Sequence, residues 1–244
     1  MAINVLIQYR ALNEPFTWFD ITFWAIAALI LIFIALFTLY SIKFKPKDIT
    51  DLQKTNAITW AISFVLLFVS IVLMLLWKYS IKDILISGII DNTVVALVNS
   101  AIIIKIIHME YSINKYEFYK GYYFTIAVIA LFTFTMIFTP SALREIGIFQ
   151  VIYLTLFLGG ISIFPLMFLY LAIKLKGRER LMAIRIVFGT ALLAVGFVLQ
   201  PQNIESYSNI IPNFDIFMNF FLFMCPIFVS TGALIIFSSF KGNL

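Results

Sequence analysis

Residues 21–42, ITFWAIAALILIFIALFTLYSI, form a run of 22 positions without a charged side chain. An α-helix needs about 20 apolar residues to cross the hydrocarbon core of a bilayer, so this stretch is long enough to span a membrane. Several later runs approach or exceed this length, and they are continuous rather than alternating, which favours helices over a β-barrel. The sequence therefore predicts an all-α integral membrane protein that crosses the cell membrane several times.

The composition supports the same prediction. Of the 244 residues, 63% are hydrophobic and 12% are charged, whereas a typical soluble domain carries about 25% charged residues. The net charge of +5 comes from basic residues in the loops, where they orient membrane helices, so we expect the lipid bilayer and not nucleic acid as a partner. A single cysteine, Cys225, excludes an intrachain disulfide, and a single histidine, His108, argues against a bis-histidine haem or a histidine-rich metal site.

The apolar runs and the turn residues between them predict seven transmembrane helices. The expected ranges are 17–43, 56–78, 84–107, 122–141, 147–174, 181–200 and 215–240. Residues 1–16 are expected to form a short extracytoplasmic segment, residues 17–240 the seven-helix domain, and residues 241–244 a cytoplasmic tail. Because the loops are short, we expect function to reside in the bundle or to be exerted through a partner.

Lysine and arginine are distributed unevenly between the two sides of this bundle. The first, third and fifth loops and the C-terminal tail carry 13 of them, and the N-terminal segment and the remaining loops carry 4. The side richer in Lys and Arg faces the cytoplasm in most membrane proteins. The distribution therefore predicts an N-terminus outside the cell and a cytoplasmic C-terminus.

Two segments of the chain resemble each other. IFIALFTLYSIKFK (32–45) and IFPLMFLYLAIKLK (163–176) are identical at six of fourteen aligned positions. Both end a helix that runs inward and both lead into a basic loop, so the similarity is compatible with a 3+1+3 arrangement of parallel repeats joined by the fourth helix. The alternative is a chance similarity in a chain rich in Ile, Phe and Leu.

The third helix carries polar residues inside an aliphatic run, GIIDNTVVALVNSAIIIK (88–105). At 100° per residue, Ser87, Asp91, Asn92 and Asn99 define one arc of this helix. A carboxylate that faces lipid is costly, so the arc is expected to face the bundle interior, with Asp91 about 10 Å below the outer end. With Asn219 of the seventh helix, these residues are our candidates for a ligand site in the outer half of the bundle. The alternative role for such residues is interhelical hydrogen bonding.

Lys105 lies on the same helical face as Asp91 but about 21 Å further along the axis, which excludes a salt bridge between them. We expect the Lys105 side chain to extend to the inner membrane interface. We also expect His108 and Glu110, at the inner end of the same helix, to be solvated.

Two further groups of residues are functional candidates by their type and position. Gly159, Gly160, Pro165 and Pro226 permit close helix contacts and kinks, and they are candidate hinges, although Pro and Gly are also common in membrane helices as packing irregularities. The basic loop, which contains Lys174, Lys176, Arg178 and Arg180, could dock a cytoplasmic partner or anionic lipid. The alternative is a plain topology signal.

The segment LYLAIKLKGRERLMAIRIVFGTALLAVGFVLQ (169–200) resembles the junction between the fifth and sixth helices of prokaryotic seven-helix sensor regions, such as those that precede histidine kinases. This resemblance implies a sensor that acts through a partner, because no kinase or cyclase domain is expected here.

The number and orientation of the helices also resemble SWEET-type sugar transporters, but their Pro-Gln pair is missing from the start of each repeat. Rhodopsins share the orientation as well. Their retinal is bound to a lysine of the seventh helix, and residues 186–240 contain no lysine, so we expect no retinal and no other cofactor.

No serine elbow, pair of intramembrane aspartates or cluster of metal ligands is evident, so an enzyme is not expected. The polar arc and the basic inner loops predict a receptor-like or sensor protein that binds a small or lipophilic ligand. The alternatives are a small-solute or proton-coupled transporter and a structural subunit of a larger membrane complex, which would use its apolar surface without any pocket.

Overall fold

The computed structural model describes residues 14–44, 51–79, 84–115, 121–137, 147–198 and 214–241. All regular structure within these ranges is helical. The elements are α1 (Glu14–Phe44), α2 (Asp51–Tyr79), α3 (Ile84–Lys115), α4 (Tyr123–Ile137), α5 (Gly147–Lys174), α6 (Gly177–Val198) and α7 (Phe214–Lys241). The prediction of seven helices is therefore confirmed for the described part of the chain.

Length and composition identify four candidate membrane spans among the described residues. They are Phe19–Phe44, Gln53–Leu76, Asn92–Asn114 and Gly177–Phe197. Shorter apolar helices occupy Tyr123–Phe134, Leu158–Lys174 and Phe223–Ser239. The protein is consequently a helical chain with several segments that suit a bilayer.

α3 is longer than the sequence predicted, because it continues beyond residue 107 to Lys115. The charged and polar residues after Ile107 suggested the end of a membrane helix. The apolar residues Ile106, Met109 and Ile113 nevertheless follow one another at helical spacing, and all three are buried. Their burial explains why the helix extends for two further turns.

The helices pack as a closed ring in chain order. Each helix contacts the next, α7 returns to contact α1, and α3 also touches α5. Aromatic pairs connect α1 with α7, where the Phe37 and Phe237 rings lie edge to face with centroids 5.5 Å apart. Trp24 of α1 also approaches Phe197 of α6, at 6.3 Å between ring centroids. The interior of the ring is thus filled largely by apolar side chains.

α6 and α7 pack backbone against backbone through glycines. A Cβ atom on Gly232 of α7 would lie 2.5 Å from the carbonyl oxygen of Gly189 of α6, and a Cβ on Gly196 would lie 2.7 Å from the carbonyl oxygen of Cys225. Real Cβ atoms do not approach other atoms this closely, so a side chain at either position would push the two helices apart. Small residues at such contacts are a usual means of helix association in membranes.

Large apolar side chains also cover the outside of the ring. Phe33 of α1 is 64% exposed, Phe188 of α6 is 64% exposed, and Ile173 of α5 is 73% exposed. Such an exterior would be unfavourable in water but is suited to contact with lipid.

The aligned segments of α1 and α5 bury different positions. Ala35 is buried whereas its aligned partner Leu166 is 56% exposed, and Leu36 is 59% exposed whereas its partner Met167 is buried. The two segments therefore use different faces against the bundle. Their packing gives the 3+1+3 repeat no support.

Candidate functional site

An interior cavity of about 70 Å³ lies between α2, α3, α5 and α6. Most of its wall is apolar and aromatic. It is lined by Trp60, Ser63 and Leu67 of α2, by Val98, Ala101, Ile102 and Lys105 of α3, by Ile161, Phe164 and Pro165 of α5, and by Thr190, Leu193, Ala194 and Phe197 of α6. Each helix contributes residues spaced three, four or seven apart, which is the spacing of one helical face.

Lys105 is the charged residue among those that line the cavity, and its side chain is 1% exposed. Its Nζ atom donates to Oδ1 of Asn56 at 2.8 Å and to Oγ1 of Thr59 at 3.2 Å, both on α2. The same atom lies 4.2 Å from the centroid of the Trp60 ring, within the range of a cation–π interaction. Asn56, Thr59 and Trp60 occupy positions i, i+3 and i+4 of α2 and together surround the amine.

The Lys105 side chain is buried, and its amine lies near the Asp51 end of α2. α2 supplies two oxygen acceptors and an aromatic face at the level of the amine. The expected position of the amine at the inner membrane interface stays a prediction. Within the described part of the chain, no carboxylate forms an ion pair with this lysine.

Aromatic rings join α2 to α5 beside the lysine. The rings of Trp60 and Phe64 stack at 5.6 Å, and Phe164 meets Trp60 edge to face at 5.9 Å. Phe168 continues the series, with its ring 5.1 Å from that of Phe164. These contacts fix the wall of the cavity next to the amine.

The hydroxyl groups in the cavity wall donate to backbone carbonyls. Ser63 Oγ donates to the carbonyl of Ala101 at 2.9 Å, which connects α2 with α3. Thr190 Oγ1 donates to the carbonyl of Ile186 within α6 at 2.7 Å. Because both hydroxyl protons are used within the protein, the cavity presents an almost wholly apolar surface to a ligand.

The predicted outer site is only partly described. The side chains of Ser87, Asp91 and Asn219 lie outside the described residues, so their role stays a prediction. Asn92 is half-buried and already has an interaction within the protein. Neither it nor Asn99 lines the cavity.

Asn99 is the predicted site residue with the most unusual surroundings. It is 3% exposed, and among the described residues neither its Oδ1 nor its Nδ2 has a hydrogen-bond partner. Buried amides are almost always hydrogen-bonded, because leaving one unpaired is costly. Packing against neighbouring residues alone therefore does not explain an asparagine at position 99.

Asp20, near the outer end of α1, forms a hydrogen bond between two helices. Its carboxylate accepts a hydrogen bond from the Tyr79 hydroxyl, which connects the outer end of α1 with that of α2. This contact corresponds to the interhelical hydrogen-bonding role that the sequence left open for such residues.

Glu110 and His108 are buried, contrary to the expectation that they are solvated. The Glu110 carboxylate accepts hydrogen bonds from the backbone N–H groups of Phe124 and Thr125, both at 2.7 Å. These N–H groups belong to the first turn of α4, where no partner exists within the helix. Glu110 therefore acts as a cap supplied by α3, and its negative charge also suits the helix N-terminus.

The candidate hinges have distinct surroundings. Pro165 lines the cavity, and Pro226 is buried in α7, where its carbonyl accepts a hydrogen bond from Ser230 at 2.8 Å. A Cβ atom on Gly160 would lie 2.3 Å from the Phe132 ring of α4, whereas one on Gly159 would approach only Leu131, at 3.9 Å. Gly160 thus permits a close helix contact, and Gly159 does not require one.

The basic loop is accessible. Its four predicted residues are all exposed, with Lys174 at the end of α5, Lys176 between the helices, and Arg178 and Arg180 in the first turn of α6. Gly177 adopts a positive φ of 61°, which allows the chain to turn directly from α5 into α6.

Comparison of the chain with protein-family models, with curated proteins and with solved structures finds no match. Within the described ranges, no three His, Cys, Asp or Glu residues are placed to hold a metal ion.

Proposed function

We propose that this protein is a non-enzymatic, receptor-like or sensor membrane protein that binds a small lipophilic ligand inside a seven-span bundle and acts through a partner. The supporting observation is the interior cavity between four helices, with apolar walls and a buried lysine. Binding sites for small molecules are typically concave and mostly apolar, with a few convergent polar groups that orient the ligand. The cavity shares the concave form and the apolar walls of such sites.

The proposed orientation has the N-terminus outside and the C-terminus in the cytoplasm, as the loop charges predict. α3 then runs inward, and Val98 lies about 21 Å from its outer end at 1.5 Å per residue. Because α3 has 32 residues and is about 48 Å long, the proposed site lies around the middle of this helix and not entirely in the outer half that the sequence suggested. Position 91 lies seven residues before Val98, about 10 Å further out along α3.

Binding in the cavity could also change the surface that meets a partner. Its walls include α5 and α6, and these helices are joined by the exposed basic loop. A ligand that packs better in one arrangement of the two helices shifts the population towards that arrangement. The loop would then present its basic residues differently to a cytoplasmic protein or to anionic lipid.

Filling the cavity tests the proposal. The purified protein would be titrated with benzene, short-chain alcohols and alkanoates while its thermal unfolding is monitored. Ala194→Phe places a ring in the cavity, and the adjacent Val195→Phe places the same ring on the exposed side of α6, where Val195 is 38% exposed. We expect at least one probe to stabilise the wild type and Val195→Phe but not Ala194→Phe. If no probe stabilises the wild type, or if both variants respond equally, the cavity is not the ligand site.

Asp91 requires a separate test. If its carboxylate takes part in ligand binding, Asp91→Asn will weaken the response to the stabilising probe. An Asp91→Asn protein with unchanged stability and an unchanged probe response would remove Asp91 from the mechanism.

Transport is the second candidate, and the position of Pro165 in the cavity wall favours it. A proline removes one backbone hydrogen bond from α5, which makes that part of the helix easier to bend next to a potential substrate. Uptake of the stabilising probe into sealed vesicles that contain the protein would support transport over sensing.

A structural subunit, the third candidate, would show no probe response and would copurify in fixed stoichiometry with other membrane proteins.

A further inference from the structure

A second concave surface lies on the outside of the ring, where α3 passes between α2 and the start of α4. This groove is lined by Thr59 of α2, by Ile104, Ile107, His108 and Tyr111 of α3, and by Tyr122, which directly precedes α4. The four α3 residues are spaced i, i+3, i+4 and i+7 and therefore share one face of the helix. Ile107, Tyr111 and Tyr122 are 41%, 52% and 45% exposed, so the groove opens to the surroundings of the bundle.

The groove lies near the Lys115 end of α3, at the level where a bilayer changes from hydrocarbon to headgroups. A hydrocarbon core of about 30 Å that is centred on this helix covers roughly 20 of its residues and ends near Met109. The groove extends from Ile104 to Tyr111 and thus crosses this level. Its two tyrosines suit the position, because tyrosine is enriched at membrane interfaces.

His108 is a buried polar residue in the wall of the groove, and it is 7% exposed. The hydrogen bond that the structure shows at this position uses the backbone carbonyl, which accepts from Ser112 Oγ at 2.8 Å. Within the described part of the chain, the imidazole ring itself has no hydrogen-bond partner. In every protonation state found in proteins the ring carries at least one N–H donor, and buried donors are almost always paired. His108 therefore offers an unused donor to the molecule that fills the groove.

The other groups of the groove restrict the chemistry of that molecule. The Thr59 hydroxyl is already used, because it donates to the carbonyl of Asn56 at 2.8 Å. Ile104 and Ile107 flank His108 and offer only apolar surface. The groove therefore suits a hydrocarbon chain that carries a hydrogen-bond acceptor at one end.

A membrane phospholipid has this combination at this level of the bilayer. Its ester carbonyl oxygens lie where the acyl chains begin, and they accept hydrogen bonds without donating any. The groove has a volume of about 350 Å³, and a water molecule takes up about 30 Å³ in the liquid, so the groove holds roughly a dozen non-hydrogen atoms. That space is enough for one ester group and the first part of its acyl chain.

We infer that this groove binds one diacyl glycerophospholipid. An ester carbonyl oxygen accepts a hydrogen bond from the His108 ring, and the adjoining acyl chain packs against Ile104 and Ile107. This site is separate from the interior cavity, and its test does not depend on the ligand proposed for that cavity.

Dioleoylphosphatidylcholine and its dioleyl ether analogue form a matched pair of probes, because they share the headgroup and the chains and differ in the ester carbonyls. The purified full chain would be delipidated in detergent and titrated with each lipid, and bound lipid would be counted by native mass spectrometry. We expect the first copy of the ester lipid to bind about three- to tenfold more tightly than the ether lipid, since the ether lacks the carbonyl acceptor.

His108→Phe keeps a planar ring and removes both nitrogens. We expect this variant to lose the preference for the ester lipid, and we expect His108→Gln, which keeps an N–H donor, to retain part of it.

Ile107→Trp fills the groove and leaves His108 in place, so it provides a test even if His108→Phe does not fold. Ile129→Trp is the matched control, because Ile129 of α4 is 42% exposed and does not line the groove. We expect Ile107→Trp to lose at least about threefold of the affinity for the first ester lipid, and we expect Ile129→Trp to keep it.

Three results would overturn the inference. Equal binding of the two lipids to the wild type, or an unchanged preference in His108→Phe, would show that His108 does not hold an ester. Equal effects of Ile107→Trp and Ile129→Trp would show that the groove is not the lipid site. Decylubiquinone also carries carbonyl acceptors, and tighter binding of this quinone than of the ester lipid would make the groove a quinone site.

Discussion

The Nζ atom of Lys105 on α3 lies 2.8 Å from Oδ1 of Asn56 on α2, in the interior of the bundle. With Thr59 and Trp60, Asn56 gives the buried amine polar and aromatic surroundings. The contact also fixes the position of α2 along α3, because the turn of α2 that contains Asn56 and Thr59 must lie beside Lys105. The residues that hold the Lys105 amine therefore also form a contact between α2 and α3.

Removing the Asn56 acceptor should destabilise the protein, because the buried Lys105 amine then loses a hydrogen bond. Asn56→Leu leaves Lys105 with Thr59 and the Trp60 ring, and we expect a loss of about 1–3 kcal/mol in the free energy of unfolding, measured by titration with a denaturing detergent. In the double variant Asn56→Leu with Lys105→Met, both polar partners are gone, and part of this loss should be recovered. Strictly additive effects of the two substitutions would show that the contact is not coupled.

The contact between α6 and α7 should not tolerate a single methyl group. In Gly232→Ala the new Cβ would meet the carbonyl oxygen of Gly189 at 2.5 Å and the backbone nitrogen of Leu193 at 2.9 Å. We expect a loss of about 1–3 kcal/mol in the free energy of unfolding, because overpacking at a rigid backbone forces the helices apart. Gly159→Ala is the matched control, with its nearest atom at 3.9 Å. It should be neutral or stabilising by about 0.5–1 kcal/mol, and equal losses in the two variants would contradict the packing described for α6 and α7.

Glu110 should control the stability of the start of α4. Glu110→Gln keeps the shape of the side chain but removes the charge that the N-terminus of the helix favours. We expect amide hydrogen exchange at Phe124 and Thr125 to become faster, with a loss of about 0.5–2 kcal/mol. Glu179→Gln, in the exposed first turn of α6, should leave this exchange unchanged. Unaltered exchange in Glu110→Gln would show that the carboxylate does not cap α4.

The buried amide of Asn99 should be replaceable. Leucine has a similar size and no polar atoms, so Asn99→Leu is expected to raise the free energy of unfolding by about 1–3 kcal/mol. Because Asn99 does not line the cavity, binding of the stabilising probe should persist. A stable Asn99→Leu protein that no longer responds to the probe would instead place Asn99 in the ligand site, as the sequence predicted.

The orientation of the chain can be tested with single cysteines. In a Cys225→Ala background, Lys176→Cys should react with a membrane-impermeant maleimide only after intact cells are opened, because the basic loop is predicted to face the cytoplasm. Ala2→Cys should react in intact cells. The reverse pattern would invert the bundle and with it the direction from which a ligand approaches.

The sequence predicted the number of helices and most of their ends, because uninterrupted apolar runs are a strong indication of membrane helices. It failed at Glu110, since a charge near the end of an apolar run looks like the start of a loop. The apolar residues Ile106, Met109 and Ile113 continue at helical spacing, and they could have extended α3. Asn56, Thr59 and Trp60 share one helical face, and this pattern could have indicated polar surroundings for a buried amine.

Which side of each helix faces the bundle, and which helices meet there, was harder to predict. In these helices the residues that face lipid and those that face the bundle are both apolar, so hydrophobic periodicity does not tell the two sides apart. Leu36 and Ala35 of α1 illustrate the problem, because the larger side chain is exposed and the smaller one is buried. The cavity arises from contacts among four helices, which the composition of any single helix does not determine.

The glycine contact has a mechanical consequence. Because the backbones of α6 and α7 touch at Gly189 and Gly232, no layer of flexible side chains separates the two helices at that level to absorb a displacement. Thr190 and Leu193, which line the cavity, follow Gly189 within one turn of α6. We therefore expect α6 and α7 to move together when that wall of the cavity is displaced.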